Sequence, residues 1–162
     1  MNYWVNIHHP SVEGEPRQNQ CKVYLQKKNE HLIDKFSDGD CVFIYETKNL
    51  SGQEVEVESN GDRRTVKLRR GRGGIIALVR IGYPFKRGRW KWNGIPFIGY
   101  FDTSEVTCGR SSVPLSEING ERRRRRLPNF NPRVNGGLRR LRRKEFSVMS
   151  RLIGATEIGR GQ

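Results

Sequence analysis

The clearest alternation of polar and apolar side chains lies in residues 53–69. The segments QEVEVE (53–58) and RRTVKLR (63–69) place apolar residues at alternate positions, and the dipeptide Asn60-Gly61 stands between them. Side chains alternate between the two faces of a strand, and an Asn-Gly pair favours the tight turn of a hairpin. The segment therefore predicts a two-stranded β-hairpin.

Runs of β-branched and aromatic residues predict further strands. YWVNIHH (3–9) ends before Pro10, and the apolar run CVFIY predicts a strand at 41–47 that is buried on both faces. After a glycine-rich break at 71–74, we expect a core strand through residue 81 and a loop around Pro84. IPFIGYF (95–101) and TSEVTC (103–108) predict one long strand or two short ones.

The patterns that favour helix are weaker. Apolar positions in 23–36 partly fit helical spacing, and the polar residues at 26–30 favour helix for the second half of that segment. A short helix is expected to begin at Pro114. In LRRLRRKEF (138–146), Leu138 and Leu141 would share one helical face, and FSVMSRLI (146–153) continues as helix or becomes a strand, with helix preferred. Residues 11–20 predict a loop. Together these patterns predict an α+β fold.

Length and composition favour one folded unit. The chain has 162 residues, of which 34% are hydrophobic, with three Trp, five Tyr and seven Phe to form an aromatic-rich core. A single domain over residues 1–162 is therefore expected.

The positive charge is concentrated in one segment. The formal net charge is +14, and residues 121–144 alone contain eleven basic residues and one acidic residue. ERRRRRLPNFNPRVNGG (121–137) also contains two prolines and two adjacent glycines, so we expect an exposed, arginine-rich insertion or arm at about 121–144. Such a charge density favours a polyanionic partner, although a solvated tail is the alternative.

Basic and aromatic residues interleave in KRGRWKW (86–92). If the segment is extended, Trp90 and Trp92 face the same side, where they are able to stack on an unpaired base. The alternative is that they pack into the core or cover a sheet edge. The cations expected on a nucleic-acid backbone lie here and in the arginine-rich segment: Arg87, Arg89, Lys91, Arg122, Arg123, Arg124, Arg125, Arg126, Arg139, Arg140, Arg142 and Arg143.

Several other classes of function lack a sequence signature. The three cysteines are far apart, no His, Cys or carboxylate set has zinc-site spacing, and no phosphate-loop or nucleophile-elbow motif occurs. We therefore expect no metal, no cofactor and no enzymatic activity. The longest uncharged apolar run, 75–79, is too short to cross a membrane, and the N-terminus lacks the features of a secretory signal, so a cytoplasmic location is expected.

Three pieces of the sequence carry a family resemblance. NYWVNIHHP (2–10), FSDGDCVFIYETKN (36–49) and GIIALVRIGYPF (74–85) resemble, in this order, segments of the EVE domain branch of the PUA-like superfamily, which includes YTH and ASCH domains. VPLSEING (113–120) and EFSVMSRLIGATEI (145–158) are similar to its later segments. The resemblance implies a small PUA-like β-barrel flanked by short helices, which binds nucleic acid and holds a modified or flipped base in an aromatic pocket.

The resemblance also suggests site residues. Asn6, His8 and His9 correspond to the end of the family's first strand, and Tyr45 and Thr47 to the end of its second matched strand. Trp90 and Trp92 are added to this predicted base pocket from their local chemistry alone.

The sequence is consistent with three functions. The first is a non-catalytic module that reads a methylated or hydroxymethylated base in DNA and acts together with a nuclease domain or subunit, as several relatives do. The second is an RNA-binding module, because the wider superfamily includes RNA-binding members and the cations suit either backbone. The third is a small basic interaction protein that recognises no base and docks on an acidic protein.

Overall fold

The fold is a strongly curled mixed β-sheet with three short helices. A computed structural model describes residues 1–16, 21–107, 112–133 and 137–154, and its sheet contains nine strands. The strands are β1 (Tyr3–His8), β2 (Val23–Gln26), β3 (Cys41–Glu46), β4 (Glu54–Ser59), β5 (Asp62–Lys67), β6 (Gly74–Trp92), β7 (Ile95–Glu105), β8 (Val113–Pro114) and β9 (Leu138–Leu141). A 3-10 helix covers Lys27–Lys35, and the α-helices are α1 (Leu115–Arg124) and α2 (Arg143–Leu152).

The sheet forms a half-barrel in the order β2-β7-β6-β3-β1-β9. β1 and β3 are parallel, with Tyr3 opposite Cys41, and the other pairs are antiparallel. β6 is long enough to pair with β3 and β8 near its start and with β4 at its end, while β7 runs beside most of it. This arrangement is an α+β fold compatible with a small β-barrel.

The hairpin and the first predicted strands are confirmed. β4 and β5 pair in the register Glu54–Lys67 to Ser59–Asp62, and the turn residues Asn60 and Gly61 both have positive φ angles, 52° and 81°. β1 occupies the predicted strand at 3–9. Every residue of β3 is buried, as expected for a strand covered on both faces.

The expected loop around Pro84 is wrong. β6 continues through this position to Trp92 because β7 pairs with it on both sides of the proline. The register shifts between Gly82 and Lys86, which leaves Pro84 outside the regular ladder, where a residue without a backbone N–H is tolerated. IPFIGYF and the following TSE form one strand, β7, and Cys108 lies outside the described residues.

The helical segments match the predictions in part. Residues 23–26 form a strand, and the polar stretch after them forms the 3-10 helix. A helix follows Pro114 as expected, and FSVMSRL belongs to α2. Leu138 and Leu141 do not share a helical face: they lie in β9, three residues apart, and join core clusters on opposite sides of the sheet.

The expectation of an exposed arginine arm is also wrong for part of that segment. Arg122 lies in α1 and is fully buried, and its Nη2 donates to Glu145 Oε1 at 2.8 Å. Burial raises the pKa of Glu145, but the Arg142 backbone N–H and the guanidinium groups of Arg122 and Arg139 outweigh it, so the pKa lies below its ordinary value. Phe130 is buried as well, and residues 134–136 lie outside the described residues.

Two core clusters pack against opposite faces of the sheet. Val5, Phe43 and Met149 belong to the cluster between the sheet and the α-helices. Trp4, on the other face of β1, belongs to the cluster within the curl, where it stacks on Phe36 with ring centroids 4.1 Å apart. None of the described helices is long and apolar enough to span a bilayer.

Candidate functional site

A pocket of about 340 Å³ opens where the end of β1, the middle of β2, the β4–β5 hairpin and the β6–β7 hairpin meet. This volume lies in the range of pockets that bind small organic ligands. Among the described residues, six aromatic side chains line it: His8, His9, Tyr24, Trp90, Trp92 and Phe97. We call this cavity the aromatic pocket.

Strand pairing fixes the aromatic walls. Trp90 and Phe97 occupy opposite positions in β6 and β7, and their rings stack with centroids 5.4 Å apart and planes 6° from parallel. Tyr24 meets Trp90 edge-on at 6.0 Å. Trp92, two residues beyond Trp90, stacks on His9 at 5.5 Å. Because Trp90 and Trp92 are held by their neighbours in these orientations, the pocket walls are formed before any ligand enters.

Asn6 lies outside the lining of the aromatic pocket and forms hydrogen bonds with two of the lining residues, Tyr24 and His8. Its side chain is 2% exposed, its Nδ2 donates to the backbone oxygens of Tyr24 (3.2 Å) and Gly137 (2.9 Å), and its Oδ1 accepts from the Tyr24 backbone N–H (3.1 Å). The same oxygen lies 2.5 Å from His8 Nε2. Since a carboxamide oxygen only accepts hydrogen bonds, this contact assigns the proton of His8 to Nε2.

The walls of the aromatic pocket are largely uncharged. Burial, with smaller effects of Tyr100 and nearby acidic groups, raises the pKa of Tyr24 to about 12, so the phenol stays protonated. Neighbouring groups, among them the Trp92 ring, partly desolvate the His9 imidazole and lower its pKa, although the residue as a whole is exposed. Charge is found at the rim, where the exposed Arg64 forms an ion pair with Glu15 at 3.8 Å.

Trp92 contributes a further polar group. Its Nε1 is shielded from solvent and forms no hydrogen bond within the described part of the chain. An unpaired buried donor costs about 1–3 kcal/mol, and such groups in native proteins call for a structural or functional reason.

A second, cationic cavity of about 550 Å³ adjoins the aromatic pocket, and we call it the basic groove. Trp90 and Phe97 line both cavities, so they form a shared wall. The charged side chains that line the basic groove are Lys27, Arg87, Arg89, Lys91, Glu30 and Glu58.

The structure brings together most of the predicted base-pocket residues. The aromatic pocket is lined by His8, His9, Trp90 and Trp92, and Asn6 contacts the lining residue His8. Tyr45 does not line it, because odd-numbered residues of β3 face the helices, and its ring packs on Phe130 at 5.6 Å.

Thr47 is likewise not among the lining residues. Its backbone N–H donates to the oxygen of His8 at 2.9 Å, and its hydroxyl is buried with no hydrogen-bond partner in the described residues.

Sequence reasoning missed Tyr24 and Phe97. Tyr24 lay in a segment whose spacing was mixed between helix and strand, although VYLQ has the alternation of a short strand. Phe97 lay in a predicted strand, but the sequence did not reveal that it stands opposite Trp90. The hairpin residues Val57 and Arg64 were missed for the same reason.

The predicted backbone cations fall into three groups. Arg87, Arg89 and Lys91 are exposed and line the basic groove. Arg122 is fully buried and donates to Glu145, so it cannot contact phosphate, whereas Arg139 also donates to Glu145 but is only half-buried. The remaining exposed arginines, which we call the helix-layer cations, are Arg123, Arg124, Arg125, Arg126, Arg140, Arg142 and Arg143.

In comparisons with known proteins, no protein-family model and no curated sequence matches this chain.

Proposed function

We propose that this protein is a non-catalytic nucleic-acid-binding module that holds a modified base of DNA in the aromatic pocket. The observation that carries the proposal is the aromatic pocket itself, walled by Trp90, Phe97 and Tyr24 and adjoined by a cationic groove. The combination of flat ring surfaces with nearby phosphate-binding cations is typical of proteins that bind unstacked bases.

The chemistry of the walls suits a nucleobase. Stacking on an aromatic side chain is worth about 1–3 kcal/mol per base, and removing a base from a duplex costs a few kcal/mol. Several ring contacts are therefore needed to offset that cost. A methyl or hydroxymethyl group adds contact area against Val57 and the indole rings, which supports discrimination between modified and plain bases.

Polar groups at the pocket are suited to orienting the base edge. The His8 imidazole, held by Asn6, lies in the lining, and Ser59 and Arg64 lie at the hairpin side. Affinity for the rest of the strand comes from exposed cations, which bind phosphates through counterion release and carry little sequence information.

The direct test is equilibrium binding of the purified chain to one duplex carrying no modification, N6-methyladenine, 5-methylcytosine or 5-hydroxymethylcytosine, each at several salt concentrations. We expect a preference for one modified duplex that persists as salt rises, because stacking and shape are not screened. Equal, steeply salt-dependent binding to all four duplexes would reject base reading. Matched RNA oligonucleotides in the same assay test RNA recognition.

A pocket variant sharpens this test. Trp90→Ala removes one stacking surface and is expected to lower the preference for the modified duplex by about fivefold or more, whereas Trp90→Phe keeps an aromatic wall and retains most of it. Thermal unfolding of both variants checks that the fold is intact. A preference unchanged by Trp90→Ala would place base recognition elsewhere.

A further inference from the structure

The basic groove lies directly behind the wall of the aromatic pocket. Trp90 and Phe97 are half-buried, and they line both cavities. The groove is built by three separate parts of the fold: Lys27 from the 3-10 helix, Asn60 and Gly61 from the hairpin turn, and the β6–β7 hairpin. Both cavities therefore border on the Trp90–Phe97 ring pair.

The described residues give the basic groove four basic side chains and two acidic ones, and Lys91 stands opposite Glu58 in the β4–β6 ladder. In residues 1–16, 21–107, 112–133 and 137–154, no ion pair involves Lys27, Arg87, Arg89 or Lys91. Glu30 and Glu58 also line the groove, and Glu58 pairs with Arg63 at 3.7 Å.

Some of the helix-layer cations have side-chain partners. Arg124 and Arg125 both pair with Glu121, at 3.1 and 3.3 Å, and Arg140 donates to the Asn2 side chain. None of the helix-layer cations lines the groove or the pocket. The groove, which shares Trp90 and Phe97 with the pocket, is therefore the nearer of these two cationic surfaces to the aromatic walls.

We propose that the basic groove binds the sugar-phosphate backbone of a single-stranded segment whose adjacent base occupies the aromatic pocket. This inference rests on the proposed function and names its ligand class: an unpaired polynucleotide segment, either a free single strand or the strand around a base extruded from a duplex. Bases in a duplex are stacked and paired, so they reach an aromatic wall only after extrusion. Bases of a single strand are free to stack on Trp90 and Phe97 while the phosphates contact the groove cations.

The experiment compares a free deoxynucleoside with short single strands of the same base, as DNA and as RNA, using tryptophan quenching and fluorescence anisotropy. The groove variant Arg89→Gln/Lys91→Gln removes two groove cations. The matched control Arg123→Gln/Arg143→Gln removes the same charge from the helix layer. All four positions are exposed, so both variants are expected to fold.

We expect the groove variant to bind short strands at least about tenfold more weakly and to lower the salt slope by about 1.4, since two phosphate contacts are lost. Its affinity for the nucleoside, which has no phosphate, stays within about twofold of the unsubstituted protein. The control variant keeps its affinity for short strands within about twofold. Equal losses in the two variants, or no loss in either, overturn the proposal.

These measurements distinguish a failure of base reading from a failure of strand binding in the basic groove. If the groove variant loses strand affinity while no modified base is preferred, base reading fails and the groove assignment stands. If a modified base is preferred but short strands bind the groove variant normally, the groove assignment fails. Equal affinity for DNA and RNA indicates that the groove contacts phosphate alone, and a difference identifies the sugar that it accepts.

Discussion

The Asn6 carboxamide joins two strands that are not neighbours in the sheet. β2 is an edge strand, and β1 pairs with β3 and β9. Through its bonds to both backbone groups of Tyr24, Asn6 gives the edge of β2 the partners that another strand would supply. This single side chain thereby connects the two ends of the curl and sets the position of Tyr24 in the aromatic pocket.

Replacing Asn6 tests this connection. Asn6→Ala leaves the Tyr24 and Gly137 backbone groups without these partners, and we expect the free energy of unfolding to fall by about 1–3 kcal/mol in urea titrations. The control Asn49→Ala removes a half-buried side chain that forms no hydrogen bond with the described residues, and it should change stability by less than about 0.5 kcal/mol. Equal effects of the two substitutions would show that the amide does not hold the strands together.

His9 provides a pH-dependent probe of the pocket rim. Partial desolvation lowers its pKa below the ordinary 6.5, so the folded state favours the neutral ring. The unfolded chain then takes up the proton first, and the His9 contribution to stability is lost as pH falls below about 6.5.

NMR titration of the His9 ring measures this shift directly. The apparent pKa should lie below 6.5 in the unsubstituted protein and move upward in Trp92→Ala, which removes the ring stacked on His9. His9→Gln should reduce the loss of stability below that pH. A His9 pKa at or above 6.5 would contradict the packing of the His9 ring against Trp92.

β6 connects the core to the candidate site. Its first half carries buried Ile75, Leu78 and Val79, and its last residues carry the two tryptophans of the aromatic pocket. The β4–β5 hairpin joins the end of β6 through the pair Val57–Trp92. The hairpin therefore supports the tryptophans, and a change in its turn is expected to loosen the pocket.

The turn itself is testable with two glycine substitutions. Gly61 has a φ of 81°, so Gly61→Ala should destabilise the protein by about 1–2 kcal/mol, because left-handed backbone is unfavourable for residues with a Cβ. Gly120→Ala is the matched control: it lies in α1, where an added Cβ meets nothing within 4 Å, and it should stabilise the protein by about 0.5–1 kcal/mol. Thermal unfolding distinguishes the two signs, and stabilisation by Gly61→Ala would refute the turn geometry.

The exposed cations among the predicted phosphate contacts fall into two groups. One group lines the basic groove beside the aromatic pocket, and the other lies in the helix layer formed by α1, α2 and β9. A short strand in the pocket needs the groove alone, whereas a long duplex has phosphates enough to contact both groups. The helix-layer cations are thus expected to add affinity without base preference.

Duplex binding by the helix-layer variant checks this division. Arg123→Gln/Arg143→Gln should weaken binding of a long duplex and lower its salt slope by about 1.8, while the ratio between modified and plain duplexes stays the same. A changed ratio would mean that the helix layer takes part in base recognition. An unchanged slope would mean that duplex DNA does not contact these arginines.

Local patterns in the sequence predicted those strands and turns whose formation depends only on neighbouring residues. The alternation in 53–69 with Asn60-Gly61 determines the hairpin, because strand periodicity and positive φ are both local properties. The apolar run at 41–45 determines a buried strand, and the interleaved cations and tryptophans of 86–92 predict that cationic and aromatic side chains lie close together. The concentration of positive charge is likewise a property of the sequence alone.

The tertiary structure determines which of these residues are in contact. The charge pattern of residues 121–126 predicts that all of these side chains are exposed. In the fold, however, Arg122 points from α1 into the protein interior, where it forms an ion pair with the buried Glu145. The strand register turns Tyr45 toward Phe130 and away from the pocket. Tyr24, Asn6 and Trp90 are far apart in the chain, and only the curl of the sheet and its long-range pairing bring them together, because such contacts depend on register between distant strands.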